Sequence, residues 1–436
     1  MLNLRSNNLK KSSLQKIYDE KPNIFSGRLF CSLMMLQLVP FLYTLIRTNL
    51  IADLPITDGL GIAGHIEWFD LINETIQAFL IVPLYALFHP CMSDRQAFKT
   101  RIFQSFLIVN TIYILFSVIV LFRCNHIVSI MVCGHRTEIT QYLKLETIGF
   151  ILGNAVSFVH VLFVVLEKPL YIYAMVVLKT IFTVIGDWLL IPKFGVNGAA
   201  YSNIAVSAVC VVLCLCIVLK EKLLAVSFSF EKSFLKDYIG IGLFSGFQIA
   251  LDNIVYFSIV CRMVNSVAEQ GNYWTANNII WGLMLIPISA LSEIIKKDCR
   301  KEGLSGKMKY YHMVLIGAFL LWICMIPVLG PFLKNVMGIE HYEPIRHILL
   351  ILIPFYLAYN YTALFDSILI GYGRTYHCFA ISAVVNLIYY PIVYGLLEKG
   401  VFTPNITFIC MMFGFGMVVH LVCSILCVKF SAVLEF

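Results

Sequence analysis

Residues 64–77, "GHIEWFDLINETIQ", and residues 271–284, "GNYWTANNIIWGLM", begin with glycines 207 positions apart. Each run continues to a matching proline phrase, "IVPLYALF" around Pro83 and "LIPISALS" around Pro287. Further along, Asn154 matches Asn360 and Lys168 matches Arg374 at a spacing of 206. Self-similarity at so long a period means that one structural unit has been used twice.

Composition says what kind of unit. Of 436 residues, 60% are hydrophobic and 13% charged, and the mean hydropathy is +0.84, far from the values of soluble domains. About 20 apolar residues cross a bilayer as a helix. Twelve such runs are predicted, over 28–50, 62–87, 101–122, 145–166, 169–191, 197–219, 236–259, 272–294, 310–333, 347–370, 376–397 and 402–428. They are apolar all round, which excludes the alternating strands of a transmembrane barrel. The expected fold class is an all-α polytopic membrane protein with two six-helix lobes. Six is even, so the lobes are related by a pseudo-two-fold axis along the membrane normal.

The predicted organisation is an N-terminal segment over 1–25, a first lobe over 26–219, a linker over 220–235 and a second lobe over 236–436. The start of the chain lacks the order of a cleaved signal peptide and is expected to remain as a basic surface segment. With loops assigned alternately, 22 Lys and Arg fall on the side of the N-terminus and eight on the other. The positive-inside rule then predicts both termini in the cytoplasm, in the plasma membrane of a prokaryotic cell. The net charge of +7 is thereby explained by topology, and nucleic acid is not an expected partner. Within the linker, "VSFSF" is too short to span and is expected to lie along the membrane surface.

Most of the fourteen cysteines lie in spans and serve as small apolar fillers. The exception is "RCNHIVSIMVCGHR", where Cys124, His126, Cys133 and His135 leave open a disulfide, a metal site or an ordinary loop; no metal is assigned. His160 and His420 read as hydrogen-bonded packing residues, and Lys296, Lys297, Arg300 and Lys301 as a basic cluster facing anionic headgroups. No phosphate loop, zinc-hydrolase or nucleophile-elbow phrase is found, so no enzymatic activity or cofactor is expected.

The stretch "GDWLLIPKFGVNGAAYSN", 186–203, resembles the helix 5 to helix 6 corner of the multidrug and toxic compound extrusion (MATE) family. "ITDGLGIAG" at 56–64 is similar to the family's phrase between helices 1 and 2, and "IGYGRTYH" at 370–377 to its phrase after helix 10. The family lies in the superfamily that also holds flippases of lipid-linked sugars. The resemblance implies a cation site in the first lobe around Asp187, with Lys179 and Thr183 on the same helix face and Asn154 and Asn49 nearby. It also places Arg47 where the family carries a cation-binding aspartate. Arg47 either pairs with Asp187, altering the site, or reaches an interface and leaves Asp187 alone or with Lys179. In the second lobe the resemblance points to Asp252 and Asp366, with Asn360 and Asn253 beside them. An intramembrane carboxylate is a functional candidate in its own right.

Glu67, Asp70 and Glu74 share one stripe of helix 2, facing a cleft or outer water. At matching places on helix 8 stand Trp274, Asn277 and Trp281. Acids opposite aromatic rings suit an organic cation. The expected function is export of organic cations by alternating access, with protons or sodium as the coupling ion and a monomer as the working unit. The alternatives are a flippase for a lipid-linked or amphipathic substrate and a non-transporting scaffold of the same fold.

Overall fold

The computed structural model describes residues 25–430 except for 53, 55–58, 93, 132–134, 229, 262, 265–266, 268, 300–303, 305, 338 and 404. Most of the N-terminal segment, the start of the 56–64 phrase, Cys133, Arg300 and Lys301 therefore lie outside the described residues, as do the side chains of Asn49, Glu67 and Trp274.

Among the described residues every regular element is helical. The first series is α1 (Gly27–Ala52), α2 (Ile62–Phe88), α3 (Arg95–Met131), α4 (Arg136–Val165), α5 (Pro169–Phe194) and α6 (Val196–Lys220). The second is α7 (Lys232–Val260), α8 (Gln270–Ile279, continued through Ile280–Met284 into Ile286–Asp298), α9 (Met308–Asn335), α10 (Glu343–Gly371), α11 (Thr375–Glu398) and α12 (Ile406–Phe430). Ten are long and apolar enough to cross a membrane, and α8, bent by 47°, makes up to eleven. The described apolar part of α1, Gly27–Tyr43, is shorter than a span. The chain is a multi-pass membrane protein. Helix α3, at 37 residues, outruns its predicted span at both ends.

Packing follows the repeat. In the first series α1 lies on α5, α3 on α4, and α4 on α6; in the second α7 lies on α11, α9 on α10, and α10 on α12. The corners correspond as well. After α4, Glu167 takes φ 53° and the Lys168 N–H donates to the Phe163 carbonyl at 2.9 Å. After α10, Gly373 takes φ 72° and the Arg374 N–H donates to the Leu369 carbonyl at 2.8 Å. Both are left-handed helix stops that close back over the last turn. Glycine adopts this backbone freely, whereas a residue with a Cβ does so at a cost of roughly 1–2 kcal/mol. Glu167 accepts that cost at a place where its carboxylate is used.

The corner between α5 and α6 explains its sequence. Pro192 sits in the last turn of α5, Gly195 reverses the chain at φ 60°, and α6 begins at once. A Cβ on Gly198 would lie 2.3 Å from the Leu190 carbonyl, so only glycine lets the two helices fold back this closely.

The lobes meet along α2 against α7 and α1 against α8. A Cβ on Gly246 would lie 2.1 Å from the Phe79 ring, the close approach that small residues permit between membrane helices. Tyr238 Oη donates to the Leu80 carbonyl at 2.5 Å and Ser245 Oγ to the Ala78 carbonyl at 2.7 Å. At the linker end Lys297 of α8 bridges to Glu167 at 2.7 Å and to Asp298 of its own helix at 2.9 Å. Asp298 also holds Lys307 at 3.2 Å and accepts from Tyr311 Oη at 2.7 Å. Lys297 is 3% exposed, which corrects its assignment to a headgroup-facing cluster; Lys296 pairs with Glu293. The lobes are locked together at the linker end.

Three π-helical turns, Tyr256–Cys261, Ile280–Met284 and Val385–Tyr389, occur among the described residues, all in the second lobe. Each inserts one residue into a helix and turns the following side chains, a device frequent at functional sites.

Candidate functional site

In the first lobe, α1 and α5 bring Arg47 onto Asp187. Arg47 Nε lies 2.6 Å from Oδ2 and Nη2 lies 3.0 Å from Oδ1, a two-pronged pair of the strongest type. Tyr43, one turn before Arg47, donates its hydroxyl to Oδ2 at 3.0 Å. Asp187 is fully buried, and its carboxylate accepts from three donors, two on Oδ2 and one on Oδ1. Of the two arrangements open in the sequence, pairing is the one observed.

Two further groups neighbour this pair. Glu146 of α4, 2% exposed, accepts from Asn203 Nδ2 at 2.9 and 3.1 Å, and the Arg47 charge acts on it. Thr183 donates to the Lys179 carbonyl at 2.7 Å, so its hydroxyl is spent within α5. Lys179 makes no ion pair among the described residues and lies within electrostatic reach of Arg47, His160 and Cys210. Asn154 is buried and donates to Asn110 Oδ1 at 3.4 Å, while its own Oδ1 has no partner. Cys124 is buried in α3, its thiol 3.7 Å from the Thr140 carbonyl.

The second lobe is built differently. Asp252 of α7 accepts from Ser382 Oγ at 2.6 Å and Asn386 Nδ2 at 2.5 Å, both on α11. Asp366 of α10 faces His420 Nε2 at 3.0 Å and Ser424 Oγ at 3.1 Å, both on α12. His420 lies within electrostatic reach of both carboxylates. His420 is thus hydrogen-bonded, as expected, but its partner is a membrane-embedded acid. Asn386 lies within the π-turn of α11, and Asp252 lies one helical turn before that of α7. Asn360, on α10, is fully buried and neither atom of its amide has a partner.

Between the lobes, Asp70 accepts from Asn73 Nδ2 at 2.8 Å, and Asp70 and Glu74 are both exposed. Tyr113 Oη donates to Asn73 Oδ1 at 2.5 Å. Asn253, next to Asp252, reaches across to Thr75 Oγ1 at 3.2 Å and the Leu71 carbonyl at 3.3 Å, and it also faces Glu74. Trp281, in the π-turn of α8, stands edge-on to Tyr359 with centroids 5.3 Å apart. Tyr359 lies within electrostatic reach of Glu74, Asp252 and Asp366. Glu74, Tyr359 and Trp281 thereby link the cleft to the second-lobe acids. Asn277 of α8 is partly exposed and not seen in this set.

The sequence reading missed Glu146, Asn203, Tyr359, Ser382, Asn386 and Ser424. Glu146 carried the usual signal, an acid within an apolar run, but stood at the predicted start of its span. The serine and asparagine partners carry none, because such residues also serve as ordinary helix–helix contacts.

Solved structures of MATE-type proteins share this architecture over almost the whole chain. A transporter of the MOP superfamily from Pyrococcus furiosus, described as having a binding pocket of reversed polarity, superposes with a TM-score of 0.81 at 16% identity, covering 98% of this chain and 99% of its own. A MATE transporter of Vibrio cholerae gives 0.81 at 14%, with 97% of each chain covered. An outward-facing multidrug-resistance MATE transporter gives 0.82 at 15%, covering 98% and 99%. No protein-family model and no curated sequence matches the chain. The fold is that of the MATE transporters.

Proposed function

We propose that this protein is a secondary transporter that moves organic cations by alternating access, with its coupling ion bound in the second lobe. The observation that carries this reading is that Glu74, Asp252 and Asp366 all lie within electrostatic reach of Tyr359, whose ring meets Trp281 edge-on with centroids 5.3 Å apart. The three carboxylates and two ring faces of that set together hold a cation without requiring one shape. Asp187 is unsuited to coupling, because releasing it would part a fully buried carboxylate from a permanently charged, partly buried guanidinium. Asp366 is better placed: its partner His420 can gain or lose a proton at physiological pH, so the pair changes charge without losing its hydrogen bond. That favours protons as the coupling ion. The locked linker end fits a state open on the opposite side.

The test is efflux of a fluorescent organic cation from proteoliposomes, with proton and sodium gradients imposed separately. Proton-driven efflux lowered about tenfold or more by Asp366→Asn and by His420→Gln is expected. Full efflux in Asp366→Asn would overturn the assignment. A second reading, a flippase for an amphipathic anionic substrate, is favoured by Lys179, a basic side chain with no ion pair among the described residues and within electrostatic reach of Arg47. Lipid-analogue translocation lost in Lys179→Gln, with no cation efflux in the native protein, would establish it instead.

A further inference from the structure

At the linker end, away from the carboxylates, the two lobes border an open-mouthed cavity of about 520 Å³. One wall comes from the end of α2, with Leu87 and Pro90, and from Arg101 of α3; the other comes from the first turns of α7 and the corner between α10 and α11. The volume falls in the range of small-molecule sites, roughly 300–1,000 Å³. Its interior is apolar, with Leu87, Ile241 and Phe244, and Phe244 is 41% exposed. Gly240 opens further space, since a Cβ there would meet nothing within 4 Å.

The rim is polar. Arg101 is held over the Phe234 ring at 4.2 Å and tied to Glu231 at 2.5 Å, so its guanidinium stands fixed at the mouth. Lys236 is exposed and makes no ion pair among the described residues. Asp237 also lines the cavity, which leaves the lining with a net charge of +1 from Arg101, Lys236 and Asp237. The adjoining chain adds Arg95, Lys99, Lys232 and Arg374 against Asp94 and Glu231. This chemistry lies at the ends of the spans, at headgroup depth. In the linker, Val226 and Phe228 are 72% and 71% exposed, as expected of a segment resting on a bilayer, and Phe228 meets Phe103, two residues from Arg101, with ring centroids 5.5 Å apart. Basic pockets between helices at that depth are the form in which membrane proteins hold anionic headgroups.

We propose that this cavity binds one anionic phospholipid, its phosphate against Arg101 and Lys236 and its glycerol and upper acyl carbons against Leu87, Ile241 and Phe244. Both lobes supply walls, so a bound lipid bridges them and holds the linker end shut. The site is independent of the cation cleft, and it does not require that the transport reading be right.

The test uses the full-length protein in nanodiscs of phosphatidylcholine, with and without phosphatidylglycerol, reading thermal stability and lipid retained in native mass spectrometry. The native protein should gain several degrees in Tm with phosphatidylglycerol and retain one molecule of it. Lys236→Gln and Gly240→Leu should each lose at least half of that gain, and Lys236→Arg should keep it. Gly317→Leu on α9, whose Cβ also meets open space, controls for substitution alone. An equal gain in Lys236→Gln, in Gly240→Leu or in phosphatidylcholine alone would overturn the proposal. So would a gain reproduced by millimolar inorganic phosphate without anionic lipid, which would indicate an anion site with no need of acyl chains.

Discussion

The two lobes share helix order and corner geometry, yet they treat their membrane-embedded aspartates in opposite ways. In the first, Asp187 is closed off by a permanent cation and a tyrosine. In the second, Asp252 and Asp366 are held by serine, asparagine and a histidine, groups that hydrogen-bond a carboxylate without permanently neutralising it. The π-turns fall only in that second lobe among the described residues. A repeated fold can thus divide labour, one copy acting as a stiff frame and the other carrying the chemistry.

The sharpest way to break this contrast is to cut the pair in the first lobe. Arg47→Ala should destabilise the protein by about 3–5 kcal/mol, because it strands a buried carboxylate. The double replacement Arg47→Met with Asp187→Leu should recover much of that loss in thermal unfolding. A double mutant no more stable than the single one would mean that Asp187 has a role beyond its partner. In the second lobe Asp366→Asn should do the reverse, lowering gradient-driven flux by about tenfold or more while Tm stays near native. A collapse in stability there would make the two lobes alike after all.

Smaller effects test the seam and the cleft. Gly246→Ala forces a methyl into the Phe79 ring and should cost about 1–3 kcal/mol. Thermal unfolding would show it, and a neutral result would mean that α2 and α7 part easily. Glu74→Gln should weaken cation binding by only about 0.5–1 kcal/mol, since Glu74 is exposed and screened. A loss of tenfold or more in a dye-binding titration would make Glu74 the principal cation ligand.

Much of this was legible in the chain itself. Long apolar runs give the spans, the doubled phrases give the two lobes, and Arg47 with Asp187 were visible as opposite charges at membrane depth. The harder part was pairing across helices. His420 lies 54 residues from Asp366, and Asn203 lies 57 from Glu146. Nothing in local spacing joins such residues, because the contact depends on how helices are rotated about their axes. The π-turns were hidden for a related reason: a single-residue slip in hydrogen bonding leaves composition unchanged. It still alters which face Trp281 and Asn386 present.

Lys297 has one partner in each lobe, Glu167 across the seam and Asp298 beside it on its own helix. Separation of the lobes would therefore not create an isolated buried charge. The cation travels with a counter-ion already attached, and Glu167, 29% exposed even when paired, is released toward water. Such a contact works as a detent, firm enough to define the closed position yet without the full desolvation barrier that parting a solitary buried ion pair would raise.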